Sequence, residues 1–581
     1  MKKIIKVIIS LFVVISLTGC QKEDKSDEFA SFIQDYLVDE MSNDYSSMHI
    51  FFEHPEKYGI DVSKVKVSLG EEINEETIKK DKQKLQKLKE EFEQFDRDTL
   101  NEEQRKIYDA FSMDLQQTLA LSQDKYDYLG TVFESDVGIH VNIPMLFTDW
   151  VLRNEQDVKD LITLVKDVKP YVNSLLDYTK TQAKKGYLMI DIDNVVKYCD
   201  QFVKSGKNNS TLISMKENID SLSLSNGEDY KKQLEEAFMT SFIPAYQNIS
   251  STLNDLKSSK NNSEGLVKLK NGKEYYEDLM KSKIGTNKSV SDVKEMMNEA
   301  SSKYLMNMQK IYMKNPNVFD DLDHIQTNYS SYEEIMKDLN QNIKNDFPEV
   351  GNLDYNIKNV NEEIASRGIA AYFMIPAIDG TTPKQIRVNT NKNTRNIKDI
   401  DTYSTTAHEG LPGHMYMYAY TYANCDNLYN KLESTDAFQE GYATYVELYS
   451  YKYLKNLDQD ALEVLKYNQM YTFCMIVLAD IGIHYEGWSI DDLKNFFEEK
   501  GLSSSDGESI QKSYNQLQAN PGVFLPYYVG MVEIENMKEE AQDKLKDKFN
   551  DKEFHKALIE NGSTYFDIVE ESIDKYIDET K

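Results

Sequence analysis

Chemistry enters this sequence at "TTAHEGLPGHMYMY", residues 405–418, where two histidines bracket a glutamate and a Pro-Gly pair. His408 and His414 are six residues apart. In the helix-borne H-E-x-x-H zinc motif the two imidazoles are four apart and lie on one face. Six residues of regular helix turn through about 600°, which leaves two side chains roughly 240° apart. An undistorted helix therefore cannot aim both rings at one ion. The sequence supplies a break of its own, because Pro412 lacks a backbone donor and Gly413 tolerates unusual dihedrals. Two routes to a common point stay open: a bulge inside one helix, or a helix that ends near Leu411 with His414 opening a second element. Without either, the pair reads as a capped loop with two hydrogen-bonded histidines.

A third ligand is offered downstream by "FQEGYATYVELYS", residues 438–450. Glu440 and Glu447 are seven apart and share one face of a helix. Two His and a Glu from a following helix make the His₂Glu set of catalytic zinc, which keeps one position open for water. Glu409 stands beside the first ligand and could take a proton from that water. Glu447 is expected to support a ligand from behind. In "LADIGIHYEGWSIDDL", residues 478–493, Asp480 and His484 are four apart and can meet on a helix. An Asp holding a His suits a supporting or transition-state role, and it equally suits a polar pair in a core. In "NPGVFLPYYVGMVEI", residues 520–534, Tyr527 and Tyr528 precede Gly530, where a close backbone approach is expected. A tyrosine hydroxyl can stabilise an oxyanion, although in a chain with 39 tyrosines most are structural.

The elements that must carry these residues read as helices. Leu85, Leu88, Phe92 and Phe95 recur at intervals of three and four among Lys and Glu. Residues 157–185 and 229–256 repeat the pattern, and 11 Pro and 24 Gly in the whole chain leave room for long helices. One stretch departs from it. "AYFMIPAIDGTTPKQIRVNT", residues 371–390, places Asp379-Gly380 between two extended runs, which signals a hairpin. Its edge could pair with an extended peptide or simply pack. Arg387 and Arg395, near that hairpin, are candidate partners for a substrate carboxylate. The expected fold is mainly α, with a small β-hairpin or sheet beside the active-site cleft.

The chain has 581 residues and a formal net charge of −31. So acidic a surface argues against nucleic acid, whose phosphates demand a basic footprint. The first residues, "MKKIIKVIISLFVVISLTGC", run from lysines through a short apolar core to small residues before Cys20. That is a signal peptide over 1–19, and its end resembles a bacterial lipobox, which implies lipid on Cys20. Residues 20–30 then form a tether. Contact with a membrane is expected through that lipid only, on the extracytoplasmic face. The body divides into an N-terminal helical lobe, 31–260, and a C-terminal helical lobe, 261–581, that carries the chemistry. Cys199, Cys425 and Cys474 permit at most one disulfide.

Five segments, "AHEGLPGHMY", "QEGYATYVELYS", "DIGIHYEGW", "PYYVG" and "FHKALIENG", occur here in the order found in the DUF885 family of bacterial proteins, many of them lipoproteins. The resemblance is strongest over 370–575 and reaches upstream through "IPAIDGTTP" and "NGKEYYEDLM". That family is similar to helical zinc metallopeptidases of the gluzincin type. The resemblance implies His408, His414 and Glu440 as ligands, Glu409 as the acid of the motif, and roles for His484 and Tyr527. One position departs: Met417 stands where the family often has Gln. The expected activity is zinc-dependent hydrolysis of short peptides, as a carboxypeptidase or oligopeptidase. The competing expectation is a lipoprotein that binds peptide or another solute without cutting it, which leaves the His-Glu-Glu set unexplained.

Overall fold

Helix ends in this protein are set by polar side chains. Asn74 accepts the backbone N–H groups of Glu76 and Thr77 in a capping box, and α2 (Glu75–Phe92) follows. Asn154 does the same for Gln156 and Asp157 ahead of the 31-residue α3 (Glu155–Lys185), which ends on left-handed Gly186. The computed structural model describes residues 25–581 apart from 136, 260–261, 320–321, 323–324, 352, 361–364, 366–368, 382 and 503–506. The signal peptide and Cys20 lie outside the described residues. The first helix, α1 (Ser26–Asn43), begins within the segment read as a tether.

The helical expectations hold for α3, and for α2 as far as Phe92, with Phe95 beyond the helix end. Val158, Leu161, Val165, Val168, Val172 and Leu175 of α3 are fully or almost fully buried, the inward stripe that their spacing predicts. The 229–256 pattern becomes α4 (Gly227–Ala237) and α5 (Ile243–Asp255), joined by a π turn at Phe238–Phe242. Among the described residues, two large apolar clusters make up most of the interior. One draws chiefly on residues 29–253 and also takes in Tyr429, Leu432, Tyr565 and Ile568. The other draws chiefly on residues 266–577. Among the described residues, no helix is long and apolar enough to cross a membrane. Cys199, Cys425 and Cys474 are all free and buried, so no bridge forms among them.

The predicted hairpin is present, and it belongs to a three-stranded sheet of order β1-β3-β2. Strands β2 (Ala371–Met374) and β3 (Lys384–Val388) are antiparallel, with Phe373 opposite Ile386. Strand β1 (Tyr355–Asn359) pairs parallel to β3, with Ile357 opposite Ile386. Sequence reasoning missed β1, since a parallel partner is joined by a crossover and has no turn chemistry to announce it. Asp379 at the hairpin turn also clamps the first half of the chain. Its two carboxylate oxygens accept the N–H groups of Glu53 (2.7 Å) and His54 (3.0 Å), and Ile378 N–H donates to Phe51 O at 2.8 Å.

The second half supplies the elements of the site. These are α6 (Gly272–Ile284), α7 (Ile400–Glu409), α8 (His414–Asn424), α9 (Asp436–Tyr449), α10 (Gln459–Ile481), α11 (Gly507–Ala519) and α12 (Leu525–Leu545).

Candidate metal centre

The chain resolves the six-residue interval by making two helices. Helix α7 ends at Glu409, residues 410–413 turn, and His414 opens α8. The Leu411–Pro412 bond in this turn is cis. The turn folds back on α7: Gly413 N–H donates to Ala407 O at 3.0 Å, and Tyr416 N–H to Gly410 O at 3.2 Å. A Cβ on Gly413 would lie 1.7 Å from His408 O, so only glycine fits. Tyr442 of α9, fully buried, donates its hydroxyl to Pro412 O at 2.8 Å and staples the turn from the opposite side.

The two imidazoles converge. Their centroids are 4.9 Å apart with planes at 81°. Glu440 Oε2 lies 3.5 Å from His408 Nε2 and 3.4 Å from His414 Nε2. Zinc bonds of about 2.0–2.1 Å at tetrahedral angles put neighbouring ligand atoms about 3.3–3.4 Å apart. The two distances from Glu440 Oε2 to the imidazole nitrogens thus match edges of a zinc tetrahedron. Ligand atoms of His408, Glu409 and His414 also lie within 4.8 Å of one another. Of the two carboxylates, Glu440 meets both Nε2 atoms at ligand spacing, while Glu409 is held differently: its Oε2 accepts the N–H of Phe373 in β2 at 2.9 Å.

Glu447 stands behind His408, as expected. The Nδ1–H of His408 donates to Glu447 Oε2 at 3.1 Å, and Ser404 Oγ donates to Glu447 Oε1 at 3.1 Å. That bond fixes the tautomer and turns the Nε2 lone pair toward Glu440. The electrostatics follow. Burial works against a charged His408, but the carboxylates of Glu440 and Glu447 outweigh it and raise its pKa. Burial likewise opposes ionisation of Glu440, and the two imidazoles outweigh it and lower its pKa. Glu409 is pushed up by burial, against the pull of both histidines. A carboxyl with a raised pKa is suited to exchanging protons.

Tyr527 reaches this group from α12. Its ring lies 6.3 Å from that of His408, nearly parallel at 17°, and burial raises its pKa. The approach depends on two glycines at the crossing of α9 and α12. A Cβ on Gly441 would sit 2.6 Å from Gly530 Cα, and one on Gly530 would sit 2.4 Å from Ala437 O. The close approach expected at Gly530 is therefore real. Gly441 in "QEGYA" could have been read the same way, since an isolated glycine inside a helical pattern has a packing reason more often than not.

Other predicted site residues stand elsewhere. His484 is fully buried in a π turn (Gly482–Glu486), and both its nitrogens are occupied. Leu266 N–H donates to Nδ1 at 3.2 Å, and Nε2–H donates to Leu517 O at 3.0 Å. Burial lowers its pKa. Asp480 binds Tyr276 and Gly522, not His484. The i, i+4 spacing is the same for a catalytic pair and a core network, which is why the sequence could not separate them. Arg387 pairs with Asp149, whose other oxygen accepts Tyr372 OH at 2.6 Å, and Arg395 pairs with Asp401. Each guanidinium is therefore already paired with a carboxylate of its own chain.

Fold and site together define a mainly helical protein with a largely buried His-His-Glu cluster. Residues 59–573 match the family model described as "Bacterial protein of unknown function (DUF885)", and the chain belongs to that family. None of the curated proteins matches it. Solved structures that share its fold include two bacterial proteins. A candidate lipoprotein from Colwellia psychrerythraea is 17% identical with a TM-score of 0.79, over 95% of this chain and 99% of that one. A candidate lipoprotein of unknown function from Shewanella oneidensis is 14% identical with a TM-score of 0.64, over 94% and 98%.

Proposed function

We propose that this protein is a lipid-anchored, zinc-dependent hydrolase of short peptides, working outside the cytoplasm. The observation that carries the reading is the convergence of His408 Nε2 and His414 Nε2 on Glu440 Oε2 at 3.5 and 3.4 Å. Two imidazoles and a carboxylate at that spacing from both fit the His₂Glu set of a catalytic zinc site. Zinc held by them would supply Lewis acidity and bring the pKa of water at the open position near neutrality.

The chain's own groups supply the remainder. Glu409, oriented by the Phe373 N–H, takes the proton of the attacking water and passes it to the departing amine nitrogen. Tyr527 hydroxyl donates a hydrogen bond to the oxygen that gains charge as the carbonyl carbon turns tetrahedral. Glu447 keeps His408 in its ligand tautomer. The anchor is inferred from the signal peptide and Cys20, and it agrees with the description of both structural relatives as candidate lipoproteins.

The test is metal analysis joined to digestion of a mixed peptide library. About one equivalent of zinc and cleavage of peptides from one end or internally are expected. Glu440→Gln should lose the metal, and Glu409→Gln should keep it while losing roughly 10²–10⁴-fold in rate. Unchanged zinc content in Glu440→Gln, or full hydrolysis by Glu409→Gln, would overturn the assignment.

A further inference from the structure

We infer that Asp480 and Asn520 are positioning residues that set where Tyr527 stands over His408. The inference rests on the role proposed above for Tyr527. Helix α12 begins at Leu525, and Tyr527 lies in its first turn. The turn before it, between α11 and α12, contains Gly522 in the left-handed region at φ +73°. Its backbone N–H donates to Asp480 Oδ2 at 2.9 Å. The other oxygen of Asp480 accepts Tyr276 OH from α6 at 2.5 Å. Asp480 is only 2% exposed, and Tyr276 is fully buried. One carboxylate therefore ties α10, α6 and the turn that delivers Tyr527.

Asn520 fastens the same turn to the first half of the chain. Its Oδ1 accepts Ser135 N–H at 3.0 Å, and its Nδ2 donates to Ser135 Oγ at 3.0 Å. Both residues are 1% exposed. The residue after Tyr527 is locked as well: Tyr528 stacks on Phe473 at 4.0 Å and on Phe524 at 5.6 Å. On the far side, the Gly441–Gly530 crossing fixes the distance of α12 from α9. The crossing sets depth, and the Asp480 and Asn520 bonds set rotation and register. A shift of the turn would carry the Tyr527 hydroxyl away from the oxygen it serves, at a site where an error of about 1 Å lowers rates some 10²-fold.

Asp480→Ala is the test, because it removes the acceptors of both Tyr276 O–H and Gly522 N–H, whereas an asparagine could keep Gly522 on its oxygen and donate to the Tyr276 hydroxyl. Asn520→Ala is the companion variant. Each is made in the wild-type and Tyr527→Phe backgrounds, with zinc content and peptide hydrolysis measured. A second readout needs no activity: the ¹⁹F resonance of 3-fluorotyrosine placed at position 527. The expected result is a 10–100-fold lower kcat, with KM and zinc within twofold, and less than twofold further loss in the Tyr527→Phe background. The fluorine resonance should shift or split in both variants. A loss of equal size in both backgrounds, or an unmoved resonance, overturns the inference. If the wild-type protein hydrolyses nothing, the proposed function fails, and the fluorine signal still decides whether Asp480 and Asn520 place Tyr527.

Discussion

Gly413→Ala should cost the protein its metal while sparing its fold. The Cβ of alanine would start 1.7 Å from His408 O and 2.5 Å from Ala407 O. Real Cβ contacts do not fall below 3.0 Å, so the His408 carbonyl and the turn must separate by at least 1.3 Å, from 1.7 to 3.0 Å. Neither side can yield freely. Gly413 N–H is bonded to Ala407 O, Met417 N–H to Gly413 O, and Tyr442 holds Pro412 O. The displaced segment carries both ligands, one on each side of the clash. Metal ligands tolerate roughly ±0.2 Å, so the forced movement is several times larger than the site can absorb. Overpacking of this kind costs about 1–3 kcal/mol of stability, less than the roughly 5–15 kcal/mol by which native proteins are stable. We expect zinc affinity to fall at least 100-fold by chelator competition, near the value for His414→Ala, with the far-UV circular dichroism unchanged. Zinc binding within threefold of wild type would refute the reasoning, since it would mean that the turn can open without moving His414.

Three further outcomes follow from the geometry. Glu447→Ala leaves the Nδ1–H of His408 without its acceptor, and zinc affinity or turnover should drop about 10–100-fold, read by the same competition assay. Asp379→Ala removes the acceptor for Glu53 and His54 N–H groups. It should lower unfolding free energy by about 1–3 kcal/mol and speed amide exchange at those two residues, measured by hydrogen–deuterium exchange. His555 is fully buried, donates Nδ1–H to Asp346 O at 2.6 Å and accepts Tyr445 OH at 2.8 Å on Nε2. Burial and then Lys538 lower its pKa to about 3. The unfolded chain binds this proton near pH 6.5 and the folded one only near 3, so acidification between those values favours unfolding. Between pH 6.5 and 5 the loss is about 2 kcal/mol, and His555→Gln should flatten that part of the stability-versus-pH curve in urea melts. An unaltered slope would show that His555 is not the group responsible.

Much of the fold could be read along the chain because its signals are local. Asn74 and Asn154 cap helices within three residues of themselves, and the apolar stripe of α3 repeats every turn. The hairpin was legible because Asp379-Gly380 lies between its strands. The parallel strand β1 was not, for its partner lies beyond a crossover. The site divides in the same way. Residue type and order single out His408, Glu409, His414 and Glu440, which the structure brings together, and Pro412 and Gly413 announce the helix break. Asp480 and His484 carried an equally good local pattern and went to a buried network with Tyr276, Gly522, Leu266 and Leu517. Arg387 and Arg395 were plausible by charge and are taken by Asp149 and Asp401.

By itself, then, the sequence determined the candidate ligand types, their order, the helical frame and the need for a break between His408 and His414. Tertiary structure alone decided that the break is a turn between two helices. It also decided that Glu440, and not Glu409, meets both Nε2 atoms at zinc spacing, and that Phe373 N–H holds Glu409. The reason is physical. A side chain's type and its neighbours within a turn of helix fix what it can do, while the groups it meets across tens to hundreds of residues are chosen by how closely backbones pack. Here that choice rests on glycines 413, 441 and 530, where no other side chain leaves room.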